Sequence, residues 1–314
     1  MPVSEAFCPA GISSFFEVCD HDAVGNPLTD PARIGARGGG FAIARGVTAR
    51  VTLRKRERTS IDVRINSRPA PEAQTTRSAL ERLVNAGGFS GSVIVKIEVK
   101  VPIAAGFGTS AAGTLASCLA LSDAANLPVS FNELGRITHI SEVLNRTGLG
   151  TTSALLCGGF VLVNEPGAPG IGLVDRLRFP ESHSVICAYL GPIQTRDALA
   201  KRVDSSRDVA AAKATLDAIH KDPSLSTFLR ESRKFGEQAG FETSRITRLI
   251  STMITAGAMG AAQNMIGEAV HGVASDSKAA SVVKAVGRAF PEAKVFTSPI
   301  DRQGVRLVKA RAKH

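Results

Sequence analysis

The apolar residues from Val93 to Val99 (Val-Ile-Val-Lys-Ile-Glu-Val) make a β-branched run, bounded by Gly91 and Pro102, that reads as a strand. Ser110 to Ala125 is rich in Ala and Leu, contains no proline, and predicts a helix. Upstream the pattern predicts a strand over Val3 to Cys8, a glycine-rich loop over Gly35 to Gly40, and two alternating runs, Phe41 to Leu53 and Ser60 to Ile65. Arg54-Lys55-Arg56-Glu57-Arg58 lies between those two runs and reads as the solvated end of a hairpin. A helix is expected over Glu72 to Asn85, and another over Phe131 to Asn145. The second has a capping-box pair, Ser130 with Glu133, and ends before Gly148. After the turn-rich Pro166 to Gly170 come a strand over Ser184 to Leu190 and helices over Arg196 to His220, Leu225 to Gln238, Ser244 to Ala256, Ala261 to Val273 and Ser277 to Phe290. Strands over Ala293 to Thr297 and Gly304 to Val308 follow. Strands and helices mix without regular alternation, so the fold class is α+β, with a compositional boundary near Gly170 dividing the chain into 1–170 and 171–314.

The strand and helix around residues 102–113 are joined by small residues, Pro-Ile-Ala-Ala-Gly-Phe-Gly-Thr-Ser-Ala-Ala-Gly. Gly106 and Gly108 let the backbone approach an anion closely, and Thr109 and Ser110 open the helix, where free N–H groups and the macrodipole favour negative charge. A hydroxyl there can also reach a divalent cation. His139 and Glu142, three residues apart on the capped helix, share a face; alone they read as a surface pair, and beside an anion loop they become candidate site residues.

Composition narrows the function classes. With 314 residues, 44% of them hydrophobic, the chain can bury one large or two ordinary cores. No apolar run reaches membrane-spanning length and Met1 to Phe7 lacks a signal-peptide layout, so a cytoplasmic protein without a membrane partner is expected. Five widely spaced cysteines with no Cys-x-x-Cys pair support neither a disulfide framework nor a zinc ribbon. The formal charge of +10 invites nucleic acid. The basic residues are scattered, however, and one Tyr with no Trp offers few stacking platforms, so no nucleic-acid partner is expected. Lys309 to His314 reads as a basic tail, and a positive field favours anionic small molecules in general.

The twelve-residue run resembles the Pro-x-x-x-Gly-Leu-Gly-Ser-Ser-Ala motif of the GHMP kinases, with Phe107 in place of Leu and Thr109 in place of the first Ser. Three further segments are similar to the archaeal pantoate kinase branch. They are Ala6 to Glu17 (its opening strand and substrate-side loop), Gly35 to Gly40, and Gly148-Leu149-Gly150 followed by Gly158-Gly159 and Pro166 to Gly170. Ala261 to Gly267 and Ser298 to Asp301 match more loosely. The resemblance implies a two-lobe GHMP-type fold with an ATP-binding N-terminal domain over 1–170 and a C-terminal domain over 171–314. It implies a kinase that uses ATP and Mg²⁺ on a small-molecule hydroxy acid, with pantoate first. Another hydroxy compound (mevalonate, a phosphomevalonate or homoserine), or a weakened regulatory homologue, stands as the alternative. Oligomeric state is left open, with a homodimer compatible.

On this resemblance Pro102, Gly106, Phe107, Gly108, Thr109, Ser110 and Ala111 form the ATP loop, Ser110 and Glu142 hold Mg²⁺, and His139, Arg37 and Ser13 face the substrate. The departures cluster on the acceptor side. Thr151 stands where an Asp is expected, Val163 at or near an expected Arg, and Ala36 at an expected Ser. Thr151 or Thr152 orients an acceptor hydroxyl or phosphate, or Thr151 caps a helix. Arg37 clamps a carboxylate by its planar fork or pairs with a structural acid. Asp20, His21 and Asp22 form a solvated turn or supply a substitute base. Asn264 and Met265, in the expected helix, pack near the nucleotide or in the core.

Overall fold

The computed structural model describes residues 1–191, 206–265 and 267–308. Its backbone is organised around two very long strands, β1 (Val3–Cys19) and β2 (Gly35–Arg54), paired antiparallel along their whole length. β3 (Ser60–Ile65), β4 (Arg68–Pro69), β5 (Ser92–Val99), β6 (Phe160–Glu165), β7 (Leu173–Leu177) and β12 (Arg306–Leu307) complete this first sheet, in the order β12-β1-β2-β5-β3-β4 with β6 on the distal part of β2 and β7 on β6. The first sheet thus takes strands from both sides of residue 170. A second sheet, ordered β11-β8-β10-β9, contains β8 (His183–Gly191), β9 (Gly260–Gln263), β10 (Glu268–Ser275) and β11 (Lys294–Ser298).

Helices α1 (Gln74–Gly87), α2 (Thr109–Ala124) and α3 (Phe131–Asn145) cover the first sheet, and α4 (Thr151–Cys157) follows. Helix α2 is buried from Ala111 to Ser122 without a polar face and packs on Val47, Val95 and Ile97 in the main core. A helix apolar all round belongs inside a core. After α5 (Ser206–Lys221) and α6 (Leu225–Gln238), α7 (Ser244–Thr255) and α8 (Asp276–Ala289) form a third core on the second sheet with Ile186, Leu249, Met253 and Val282. Between the sheets lies a phenylalanine cluster. Phe160 stacks on Phe41 at 4.9 Å and meets Phe228 of α6 edge-on at 4.6 Å, and Phe15 touches both Phe228 and Phe235. Each such pair adds about 0.5–1.5 kcal/mol beyond area burial. Among the described residues no helix is long and apolar enough to cross a membrane.

The α+β class and most elements agree with the sequence reading, and α3 keeps its expected capping box. Four expectations are corrected. Ala10 to Cys19 and Gly35 to Gly40 are strand rather than loop: the glycines sit where β1 crosses β2, and a Cβ on Gly40 would collide with the Ile12 carbonyl. The runs on either side of Arg54 to Arg58 are not a hairpin, because β5 inserts between β2 and β3, antiparallel to one and parallel to the other. β5 carries Val93, Val95 and Ile97 fully inward, so the strongest β-former takes the inner position. Ala261 to Val273 is the β9–β10 hairpin, not a helix; β10 is buried on both faces, and a continuous apolar run does not reveal its period. Strands β6 and β7 were not expected, and α4 is the helix weighed as one alternative at Thr151, with Gly150 rather than Thr151 at its N-cap. The start of the Arg196 helix and the basic tail Lys309 to His314 lie outside the described residues.

One buried polar chain ties the sheets together. The Ser14 hydroxyl meets His271 Nε2 at 2.8 Å, and His271 Nδ1 meets Asn264 Oδ1 at 2.9 Å, with all three residues fully buried. A neutral ring serves both bonds: Nδ1–H donates to Asn264 and Nε2 accepts from Ser14. Burial drives the His271 pKa from 6.5 to about 3. The unfolded chain therefore binds a proton that the folded chain refuses, and stability is lost as pH falls below the unfolded value. Between pH 8 and pH 5 this residue is expected to cost about 2 kcal/mol. Urea unfolding of wild type and His271→Gln at both pH values checks this: wild type should lose about that much more than the variant, and equal losses would contradict it.

Candidate functional site

The loop leaving β5 turns back through Gly106 and Gly108, whose φ angles are 74° and 58°, a region that disfavours side chains. Gly108 is also the N-cap of α2, and its missing Cβ leaves room for the Thr151 methyl. No side chain caps α2. The first backbone bond runs from the Ala112 N–H to the Gly108 carbonyl (3.0 Å), so the N–H groups of Thr109, Ser110 and Ala111 head the helix unspent. They open onto a cavity of about 280 Å³. Phe107 turns its ring into the core against Phe296, and its carbonyl accepts the Gly11 N–H at 3.1 Å. Its buried ring pins the loop while the residue still contributes to the cavity wall.

Helix α3 brings Glu142 beneath the same helix head. Ser110 Oγ donates to Glu142 Oε1 at 2.6 Å, and Thr147 Oγ1 donates to the same oxygen at 2.8 Å. Thr75 meets Thr147 at 2.9 Å and completes the chain. Arg146 ends α3 in the left-handed conformation, which folds Thr147 back over the helix end. The carboxylate fits because residue 148 is glycine: a Cβ there would overlap Oε2. Burial raises the Glu142 pKa, and the hydrogen bonds from Ser110 and Thr147 oppose that rise. One buried carboxylate and two hydroxyls form a hard-oxygen cluster beside a ready anion cradle.

The cavity gathers most of the expected site. Gly106, Phe107, Gly108, Thr109, Ser110, Ala111, Glu142 and Thr151 line it together with Ser13, Ala36, Arg37 and Val163. Two expected residues stay outside. Pro102 lies in the loop just past β5 and does not reach the lining. His139, expected to face substrate, is 1% exposed and donates from Nε2 to the Ile34 carbonyl at 2.8 Å, so it anchors the entry to β2. Burial lowers its pKa, against backbone bonds to Ile34 and Pro31.

Thr151 begins α4 and packs its methyl on Gly11 and Gly108. Arg37 pairs with Glu17, Nη2 to Oε1 at 2.7 Å, while lining the cavity. Asp20, His21 and Asp22 lie in an exposed turn, where Asp22 accepts the N–H groups of Val24 and Asn26, and none of the three lines the cavity. Met265 sits in the β9–β10 turn, lines the cavity, and donates its N–H to the Ser13 carbonyl at 2.9 Å. Thr147 and Glu17 were not singled out in the sequence. Thr147 lies just past a helix end whose reversal no local pattern announced.

Beyond Thr109 and Ser110 the lining continues into a wider cleft of about 1050 Å³, bounded by Asn66, Gln74 and Arg146 among others. The loop and helix head thus stand between two spaces.

Residues 74–159 match the family model described as GHMP kinases N terminal domain. The chain is 33% identical over 256 residues to a pantoate kinase of Thermococcus kodakarensis, covering 79% of this chain and 81% of the relative. It is 29% identical over 288 residues to a pantoate kinase of Methanospirillum hungatei, covering 91% of each. Among solved structures, a phosphotransferase related to the CoA biosynthesis pathway superposes with a TM-score of 0.83 at 25% identity, covering 98% of this chain and 99% of the other.

If the two hydroxyls hold the Glu142 carboxylate, Thr147→Val should move its titration to higher pH, because a bond to the charged form is lost. Carbon-13 NMR of labelled glutamate reads this directly. An unchanged midpoint would mean that Thr147 does not stabilise the ionised carboxyl.

Proposed function

We propose that this chain, which belongs to the GHMP kinases and is a phosphotransferase acting on a hydroxyl group, transfers the γ-phosphoryl group of ATP to the primary hydroxyl of pantoate, a step of coenzyme A biosynthesis. The observation that carries this reading is the Glu142–Ser110–Thr147 cluster set directly beside the uncapped head of α2. Aligned N–H groups and a helix dipole favour phosphate oxygens at Thr109 to Ala111. The 1050 Å³ cleft has room for the nucleoside, and the 280 Å³ cavity suits a small acceptor. Both spaces share Thr109 and Ser110, which is where donor and acceptor would meet.

Among the described residues no group of three or more His, Cys, Asp or Glu could hold a metal by itself. A single carboxylate with a neighbouring hydroxyl fits Mg²⁺, which favours few carboxylates alongside phosphate oxygens and water. Ser110 and Glu142 are the residues that would hold it. When bound, the ion neutralises phosphate charge. Glu142 is the sole carboxylate among the described residues lining the acceptor cavity, and Thr151 presents none. The chain's contribution is therefore positioning: backbone N–H groups fix the phosphates, and no protein base is required early in a loose phosphoryl-transfer transition state.

Purified protein with MgATP and pantoate is expected to release ADP and yield a phosphorylated pantoate identifiable by mass, in preference to mevalonate or homoserine. Ser110→Ala and Glu142→Gln should each lower turnover at saturating ATP by roughly a hundredfold or more with unfolding unchanged. Since burial raises Glu142, metal-dependent turnover of wild type should decline on acidification above the ordinary glutamate range. Near-normal rates in both variants would sink the site. Robust turnover of another acceptor with none of pantoate would sink the substrate.

A further inference from the structure

Two charged side chains line the acceptor cavity among the described residues, Glu142 and Arg37. Glu142 is engaged at the phosphate end with Ser110 and Thr147, so among the described lining residues Arg37 is the cation available to whatever fills the remainder. It projects from β2 at the position paired with Glu17 on β1, and Gly38 beside it lies across the ladder from apolar Val163. The Arg37–Glu17 pair is made on one leg only. Nη2 donates to Glu17 Oε1 at 2.7 Å, whereas Arg37 Nε and Glu17 Oε2 are both buried without a hydrogen-bond partner. The Cys19 thiol lies against the same guanidinium.

The pairing is also uneven in exposure. The Glu17 side chain is 10% exposed and the Arg37 side chain 36%, so the acid is walled in behind a guanidinium that still faces open space. A guanidinium carries five N–H donors in a rigid plane, and Glu17 uses one edge of it. A carboxylate held against the remaining donors would gain a planar, charge-assisted match that neither the apolar walls nor the backbone can supply. Glu17 meanwhile fixes the plane, and the guanidinium in turn keeps the buried Glu17 carboxylate paired.

We infer that Arg37, positioned by Glu17, binds the carboxylate of the acceptor and so restricts this kinase to hydroxy acids over uncharged alcohols. This rests on the proposed use of the cavity for the acceptor. It assigns selectivity to a strand pair remote in sequence from the phosphate loop. A site built around a hydrogen-bonded group rejects analogues lacking it strongly, because its polar atoms are then left unpaired.

The test compares pantoate with its carboxamide, in which the hydroxyls are kept and the charge is removed, on wild type, Glu17→Gln, Arg37→Gln and the Glu17→Gln/Arg37→Gln double variant. The double variant matters because Arg37→Gln alone leaves Glu17 buried without a partner and could impair folding. Arg37→Gln and the double variant are expected to raise the KM for pantoate roughly a hundredfold. The carboxamide and ATP values should stay within about threefold in both, and Glu17→Gln should retain the preference for acid over amide. Parallel shifts for acid and amide, or a preference that survives in the double variant, would overturn the clamp. If wild type turns over mevalonate and not pantoate, and the double variant loses mevalonate selectively, the clamp stands and the pantoate assignment alone falls. An uncharged alcohol used more efficiently by wild type than any hydroxy acid would overturn the clamp while leaving the kinase intact.

Discussion

The unspent N–H groups at the head of α2 set the problem that the surrounding structure answers. A helix buried on every side cannot hide its dipole in solvent, and here the flanking core is apolar from Val47 and Ile97 to Leu115. Its N-terminal end emerges at one place, the cavity floor, with Gly108 rather than a capping side chain in front of it. Buried N–H groups without acceptors are costly, so a site of this kind is stabilised by an anion that brings its own oxygens. The Glu142 carboxylate stands close by without capping the helix, being committed to the hydroxyls of Ser110 and Thr147.

The rest of the fold keeps that helix head open and stationary. The β9–β10 turn supports the loop from behind: Gly267 lies against the Ala105 backbone, Asn264 touches Gly106, and the Met265 N–H reaches the Ser13 carbonyl. The Ser14–His271–Asn264 chain and the phenylalanine cluster fasten this turn and β1 to one another from opposite sheets. Rigid support of this kind is what a reaction dependent on positioning requires. The far end of the cavity is built differently: it is walled by backbone and mostly apolar groups, and among the described lining residues Arg37, backed by Glu17, brings the guanidinium.

Much of the loop and helix head around Gly106 to Ala111 was legible in the sequence because it is local. A β-branched run, a small-residue loop and a proline-free helix specify strand, loop and helix in order, and the Ser130–Glu133 capping box placed α3 and therefore Glu142. What escaped was long-range. Whether Gly35 to Gly40 is loop or strand depends on how closely β1 approaches, and the place of β5 between β2 and β3 depends on burial across the whole sheet. The β9–β10 hairpin read as a helix because its strands are buried on both faces. His139 shares a helix with Glu142, yet its orientation toward the Ile34 carbonyl follows from the path of a segment a hundred residues away in sequence, which periodicity cannot convey.

The account stands or falls on what occupies the head of α2. A crystal structure with a non-hydrolysable ATP analogue and Mn²⁺, located by its anomalous signal, measures this directly. The expected result is a triphosphate on the N–H groups of Thr109, Ser110 and Ala111, the metal within reach of Ser110 and Glu142, and the nucleoside in the wide cleft near Asn66. Phosphates bound elsewhere on the protein, with this helix head facing solvent alone, would contradict it.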